Sequence, residues 1–170
     1  NPPPGYVNNS DDCDDNDPDV KGETTDLVKD IAMYDYGSGI YPNNIIDING
    51  TLYFTASDGT NGYELWKSDG TAAGTFMLKD ISYGSSESFP QHFINVNGTL
   101  FFTANNNNSG VELWKSDGTA AGTVLVKDIY AGYESSYPDF LTLINGVLFF
   151  KAKTSSNGTE LWKSDGTAAG

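Results

Sequence analysis

"ELWKSDGTAAG" occupies Glu64–Gly74, and the same eleven residues return at Glu112–Gly122 and Glu160–Gly170. Trp66, Trp114 and Trp162 therefore stand 48 residues apart. A fixed period of this size marks a repeat architecture, in which each unit buries its apolar face against the next. The period extends beyond the eleven residues. Lys29-Asp30-Ile31, Lys79-Asp80-Ile81 and Lys127-Asp128-Ile129 keep step with it, at intervals of 50 and 48. "INGTLYFTA" (Ile48–Ala56), "VNGTLFFTA" (Val96–Ala104) and "INGVLFFKA" (Ile144–Ala152) form a further register, and Pro42, Pro90 and Pro138 another. Nearly everything from Thr25 to Gly170 belongs to the pattern.

Within one unit the residues spell four short strands. In the middle copy, "FINV" (Phe93–Val96) and "TLFFTA" (Thr99–Ala104) flank Asn97-Gly98. An Asn-Gly pair between apolar runs predicts a type I′ hairpin, because both central residues need positive φ. "GVELWKS" (Gly110–Ser116) follows, and Asp117-Gly118 makes a second turn, the aspartate capping its own backbone. The outer strand is then Thr75–Ile81 or Thr123–Ile129, with Asp26–Ile31 as its first occurrence. No segment reads as a helix. Four strands in about 48 residues is the size of a β-propeller blade. The expected fold is thus all-β and β-propeller-like, with three four-stranded blades forming part of a larger or assembled ring. The expected repeats are 25–74, 75–122 and 123–170, preceded by an Asp-rich segment at 1–24. "SFP" and "SYP" (Ser88–Pro90, Ser136–Pro138) would open the innermost strand, the "NGTLFF" strand comes second and "ELWKS" third. Leu65, Leu113 and Leu161 would pack between blades. Glu64, Glu112 and Glu160 would pair with lysines on adjacent strands.

The hairpin resembles the signature of the ELWxxDGT repeat family, found in secreted and surface proteins of bacteria. The resemblance covers about 145 residues in three copies and implies a propeller-like repeat without an assigned chemistry. Three copies are few for a ring that closes with roughly 4–8 blades. The expectation is that further blades continue the chain, or that two chains complete a six-bladed ring head-to-tail.

Composition narrows the partners. Of 170 residues, 23 are acidic and 9 basic, all nine being lysine, for a formal net charge of −14. Nucleic acid and anionic membrane surfaces call for clustered Lys and Arg, so neither is an expected partner. No apolar run reaches the roughly 18–20 residues of a membrane-spanning helix, so no membrane insertion is expected.

The segment "DDCDDNDPDVKGE" (Asp11–Glu23) is the strongest chemical candidate. Asp12, Asp14 and Asn16 fall at positions 1, 3 and 5 of a loop whose position 12 is Glu23, with Asp17 and Asp19 as alternative oxygens. Such alternation suits Ca²⁺, a hard cation that takes six to eight oxygen ligands. Asp17 stands where an EF-hand needs glycine, so this is not that motif. "GYVNNSDDCDDNDPDV" (Gly5–Val20) instead resembles the first half of an Asp-rich metal-binding motif of secreted bacterial proteins. That motif continues through Pro-Gly-Ala-x-Glu to a second cysteine-containing half, whereas this chain turns into "KGETTD" and Cys13 is its single cysteine. Both resemblances imply an extracellular or cell-surface location in a bacterium.

Residues repeated in every unit serve the fold, so function is sought where the copies differ. Tyr34, Tyr36, Tyr83, Tyr130 and Tyr133, in the loops joining outer to inner strands, form a candidate rim for a protein or glycan. Catalysis has little to stand on. The single histidine, His92, is replaced by Asn44 and Phe140 in the other copies, and no arginine is present. The expected function is a non-enzymatic, calcium-stabilised module for adhesion or glycan or protein binding. A purely structural spacer or fibre subunit is the alternative, and a hydrolase using the propeller rim a weaker one.

Overall fold

The computed structural model describes residues 26–31 and 41–169. It contains eleven strands and, among the described residues, no helix. The first sheet comprises β1 (Asn43–Ile48), β2 (Thr51–Ser57), β3 (Tyr63–Ser68) and β4 (Phe76–Lys79). The second comprises β5 (Gln91–Val96), β6 (Thr99–Asn105), β7 (Val111–Ser116) and β8 (Val124–Lys127). The third has β9 (Asp139–Ile144), β10 (Val147–Thr154) and β11 (Gly158–Ser164). Each is an antiparallel meander in chain order. The Asn-Gly pairs make the predicted turns: Asn49, Asn97 and Asn145 have φ of 50–55°, and the glycines after them 81–88°.

The sheets pack face to face through repeated positions. Leu65, Leu78 and Ile81 of the first unit share one buried cluster with Leu100, Phe102 and Trp114 of the second. Phe101, Leu113 and Val126 repeat the arrangement against Leu148, Phe150 and Trp162. Lysines add a latch to each junction. Lys67 Nζ donates to the Gly118 carbonyl at 2.8 Å, and Lys115 Nζ to that of Gly166 at 2.8 Å. Lys79 Nζ reaches the Thr123 carbonyl at 2.7 Å. The middle copy thus contributes to both junctions, and the first and third copies to one each. Its Leu113 and Lys115 face the following unit, and its Gly118 carbonyl receives the preceding one.

Three expectations need correction. Asp26–Ile31 is not a strand, since no neighbouring strand among the described residues offers it a ladder. It still occupies the place of an outer strand: Ile31 packs on Phe54 and Trp66, and Lys29 Nζ donates to the Thr75 carbonyl at 2.6 Å. Leu161 is the second. It is 78% exposed where Leu65 and Leu113 are 0% and 1%, because among the described residues no sheet lies on that face of the third. The third is the pairing of Glu64 and Glu112 with lysines, taken up next.

Candidate functional site: clefts between neighbouring sheets

Among the described residues, Glu64 and Glu112 bind no lysine. They are fully buried, and each holds the connection that leads into the next sheet. Glu64 accepts from Ile81 N (2.8 Å), Ser82 N (3.2 Å), Ser88 N (3.1 Å) and Ser88 Oγ (2.6 Å). Glu112 accepts from Ile129 N, Ser136 N and Ser136 Oγ in the same way. A buried carboxylate has two oxygens to satisfy, and backbone N–H groups at a chain reversal satisfy them without burying a second charge. Glu160, in identical local sequence, is exposed, and no such connection follows it among the described residues.

Burial pushes the Glu64 carboxyl up to about 7 from 4.5, against the pull of the Ser88 hydroxyl and the backbone donors. Burial raises Glu112 too. A folded pKa above the unfolded one favours the protonated form in the folded state. That contribution to stability is complete below about 4.5 and is lost as pH rises through about 7. The urea midpoint is therefore expected to fall between pH 5 and pH 8, and to fall less in Glu64→Gln, which carries no titrating proton.

The glutamate grip determines where the next residue points. Ser88 and Pro90 are both buried, so Phe89 between them is turned outward, at φ 44°. Tyr137, between buried Ser136 and Pro138, repeats this at φ 47°. Such a φ is strained for an aromatic residue and persists only where the surroundings impose it. Here Ser88 N and Phe89 N both donate to the Tyr63 carbonyl at 3.1 Å, and Tyr137 N donates to that of Val111 at 3.2 Å. Both rings remain about half exposed, at 48% and 56%. Tyr63 stacks on one side of Phe89 with centroids 5.5 Å apart, while Lys153 Nζ sits 5.0 Å from the Tyr137 centroid.

Each ring stands in a cleft between adjacent sheets. The first cleft, about 410 Å³, is lined by Asn43, Asn44, Thr55, Tyr63, Phe89 and Gln91 among others. The second, about 490 Å³, has Phe89, His92, Thr103, Tyr137, Asp139 and Lys151 in its walls. A third left-handed position recurs beside them: Asn44, His92 and Phe140, at φ 52°, 56° and 54°, sit where β1, β5 and β9 slip register against their neighbours. Apolar stacking faces beside amides, hydroxyls and a few charges are the chemistry of a polar-ligand site.

The predicted rim is less coherent. Tyr83 and Tyr133 are strongly exposed, and no ring pair among the described residues includes them. Tyr130 lies toward the second cleft, its ring 5.6 Å from Lys153 Nζ, so one lysine bridges Tyr130 and Tyr137. Tyr34 and Tyr36 lie outside the described residues, as do Asp12, Asp14, Asn16, Asp17, Asp19 and Glu23. Among the described residues no group of three His, Cys, Asp or Glu side chains is placed to hold a metal. Asp69 and Asp117 cap their own turns as the sequence predicts, each accepting from the backbone and hydroxyl of the Thr two residues on. Phe89, Tyr137, Asp139 and Lys151 were not singled out by sequence reasoning. The aromatic-Pro pair repeated at 89–90 and 137–138 is the signal that would have found the first two.

Comparison with models of known protein families, with curated proteins and with solved structures gives no match.

Proposed function

We propose that the chain is a non-enzymatic, extracellular or cell-surface module whose propeller-like blades bind glycans in the clefts between them. The observation that carries this reading is the recurrence of a strained, half-exposed aromatic ring at the same place in successive clefts, Phe89 and then Tyr137. Strained backbone positions cluster at ligand clamps and binding sites, and the ring itself differs between copies, Phe in one and Tyr in the next. A flat ring beside amides and hydroxyls suits a sugar, which offers an apolar C–H face and polar edges together. Several clefts of one kind also suit a polymer of repeating sugars, where linked weak sites gain by avidity.

A glycan array on the purified chain tests the proposal. Binding to a defined set of saccharides is expected, weakened about tenfold for each ring removed, at roughly 1.4 kcal/mol per ring. Phe89→Asn and Tyr137→Asn are the informative variants, because asparagine tolerates positive φ and leaves the fold in place. Undiminished binding by the double variant, or no binding to any glycan, would sink the reading.

Two further elements belong to the proposal. The exposed face around Leu161 and the Ile31 side of the first sheet have the two halves of the junction that joins the sheets internally, so further units of the repeat are natural neighbours. Calcium held by Asp12, Asp14, Asn16 and Glu23 would rigidify the segment leading into the first sheet. One calcium per chain is expected in equilibrium dialysis at millimolar metal, and none in Asp12→Asn/Asp14→Asn.

A further inference from the structure

The chain contains nine lysines, and their positions divide sharply. Lys29, Lys79 and Lys127 belong to the Lys-Asp-Ile register, and Lys67, Lys115 and Lys163 to the hairpin; three of these six donate across sheet junctions, and Lys29 donates to the Thr75 carbonyl of the first unit. Lys21 precedes the repeats. The remaining two, Lys151 and Lys153, both lie on β10, and the chain's one histidine lies across the same cleft. Lys151 and His92 line the second cleft, and Lys153 stands over the Tyr137 ring in its wall.

The equivalent positions show what was exchanged. Asn43 pairs with Thr55 across β1 and β2, and Gln91 with Thr103 across β5 and β6. In the third copy the same cross-strand pair is Asp139 with Lys151. Lys151 Nζ lies 3.0 Å from Asp139 Oδ2, and His92 Nε2 lies 3.6 Å from Oδ1. Lys153 replaces Ser57 and Asn105 and has no acid within bonding distance among the described residues; it stands over the Tyr137 ring instead. Two lysines against one aspartate leave a local positive charge in a chain of net charge −14. The first cleft, built of Asn43, Asn44, Thr55 and Gln91, carries none.

We infer that the second cleft selects a carboxylate-bearing saccharide, a uronic acid unit, with Lys153 and Lys151 receiving the carboxylate and Tyr137 the sugar face, while the first cleft takes a neutral unit. This rests on the glycan-binding reading above. Asp139 tempers the site by occupying Lys151, so an arriving carboxylate competes for that lysine.

The test compares binding of an oligouronate and of its carboxyl-reduced, neutral counterpart by titration calorimetry. The intact chain is expected to prefer the oligouronate by about tenfold, the worth of a charge-assisted hydrogen bond pair at a partly exposed site. Lys151→Met/Lys153→Met should erase the preference, so that the two sugars bind with equal affinity. Asp139→Asn should strengthen oligouronate binding severalfold by freeing Lys151. Equal affinity for the two sugars, or a preference that survives the double lysine variant, overturns the inference while leaving glycan binding intact. Binding of neither sugar overturns both.

Discussion

Glu112→Ala is expected to destabilise the protein by about 3 kcal/mol or more, Glu64→Ala by a similar amount, and Glu160→Ala scarcely at all, measured by urea unfolding. The three share the same local sequence, so propensity and composition predict one cost for all three. The structure separates them. Removing the Glu112 carboxylate strands Ile129 N, Ser136 N and the Ser136 hydroxyl in the interior, and an unsatisfied buried donor costs about 1–3 kcal/mol. Glu160 has no such donors to abandon among the described residues. The leucines beside them follow suit. Leu65→Ala and Leu113→Ala remove fully buried side chains at sheet junctions, a change that costs about 2–5 kcal/mol, whereas Leu161→Ala alters an exposed surface. Equal costs across either triplet would contradict the junction geometry.

A second triplet distinguishes turn strain from junction packing. Gly70, Gly118 and Gly166 all have φ near 87°, so alanine at any of them carries the roughly 1 kcal/mol or more of a left-handed non-glycine residue. At Gly70 nothing else lies within 4 Å of the added methyl. At Gly118 that methyl would meet Tyr53 Oη at 2.5 Å, and at Gly166 it would meet Phe101 Cζ at 2.8 Å. Tyr53 and Phe101 belong to the preceding sheets and are buried, so the turn of one unit closes over the ring of another. Overpacking of this kind adds about 1–3 kcal/mol. Gly118→Ala and Gly166→Ala are therefore expected to cost about 2–4 kcal/mol, and Gly70→Ala about 1 kcal/mol, by thermal or urea unfolding. A Gly70→Ala as damaging as the other two would show that the turn alone sets the cost.

Much of the architecture was legible from residue types because it depends on local chemistry. Asn-Gly can do little else between two β-runs, and Asp-Gly-Thr caps itself. Strand order within each sheet followed from the period. What failed was whatever needed a neighbour. Asp26–Ile31 has the letters of a strand, yet a strand is defined by its partner. Glu64 looked like a surface acid paired with lysine because the sequence does not display the Ser88 amide folding back upon it. The candidate site was hidden for a related reason. Phe89 and Tyr137 read as the opening of an inner strand, and only the burial of the residues on either side reveals them as outward-facing. Lys151 was legible in principle: aligning Thr55, Thr103 and Lys151 shows a lysine replacing a hydroxyl on the second strand of the sheet. The loops, where copies usually differ most, carry the more visible variation.

In the proposed function the clefts, and not the tyrosine-bearing loops, are the surface that meets a ligand. Titrating the saccharides selected by the array into the ¹⁵N-labelled chain tests this most directly. The predicted result is a set of amide shift changes centred on Phe89, Gln91, His92, Tyr137 and Asp139, with the Asp-Gly-Thr turns unmoved. Shifts confined to Tyr83 and Tyr133, or no shifts with any saccharide, would contradict it.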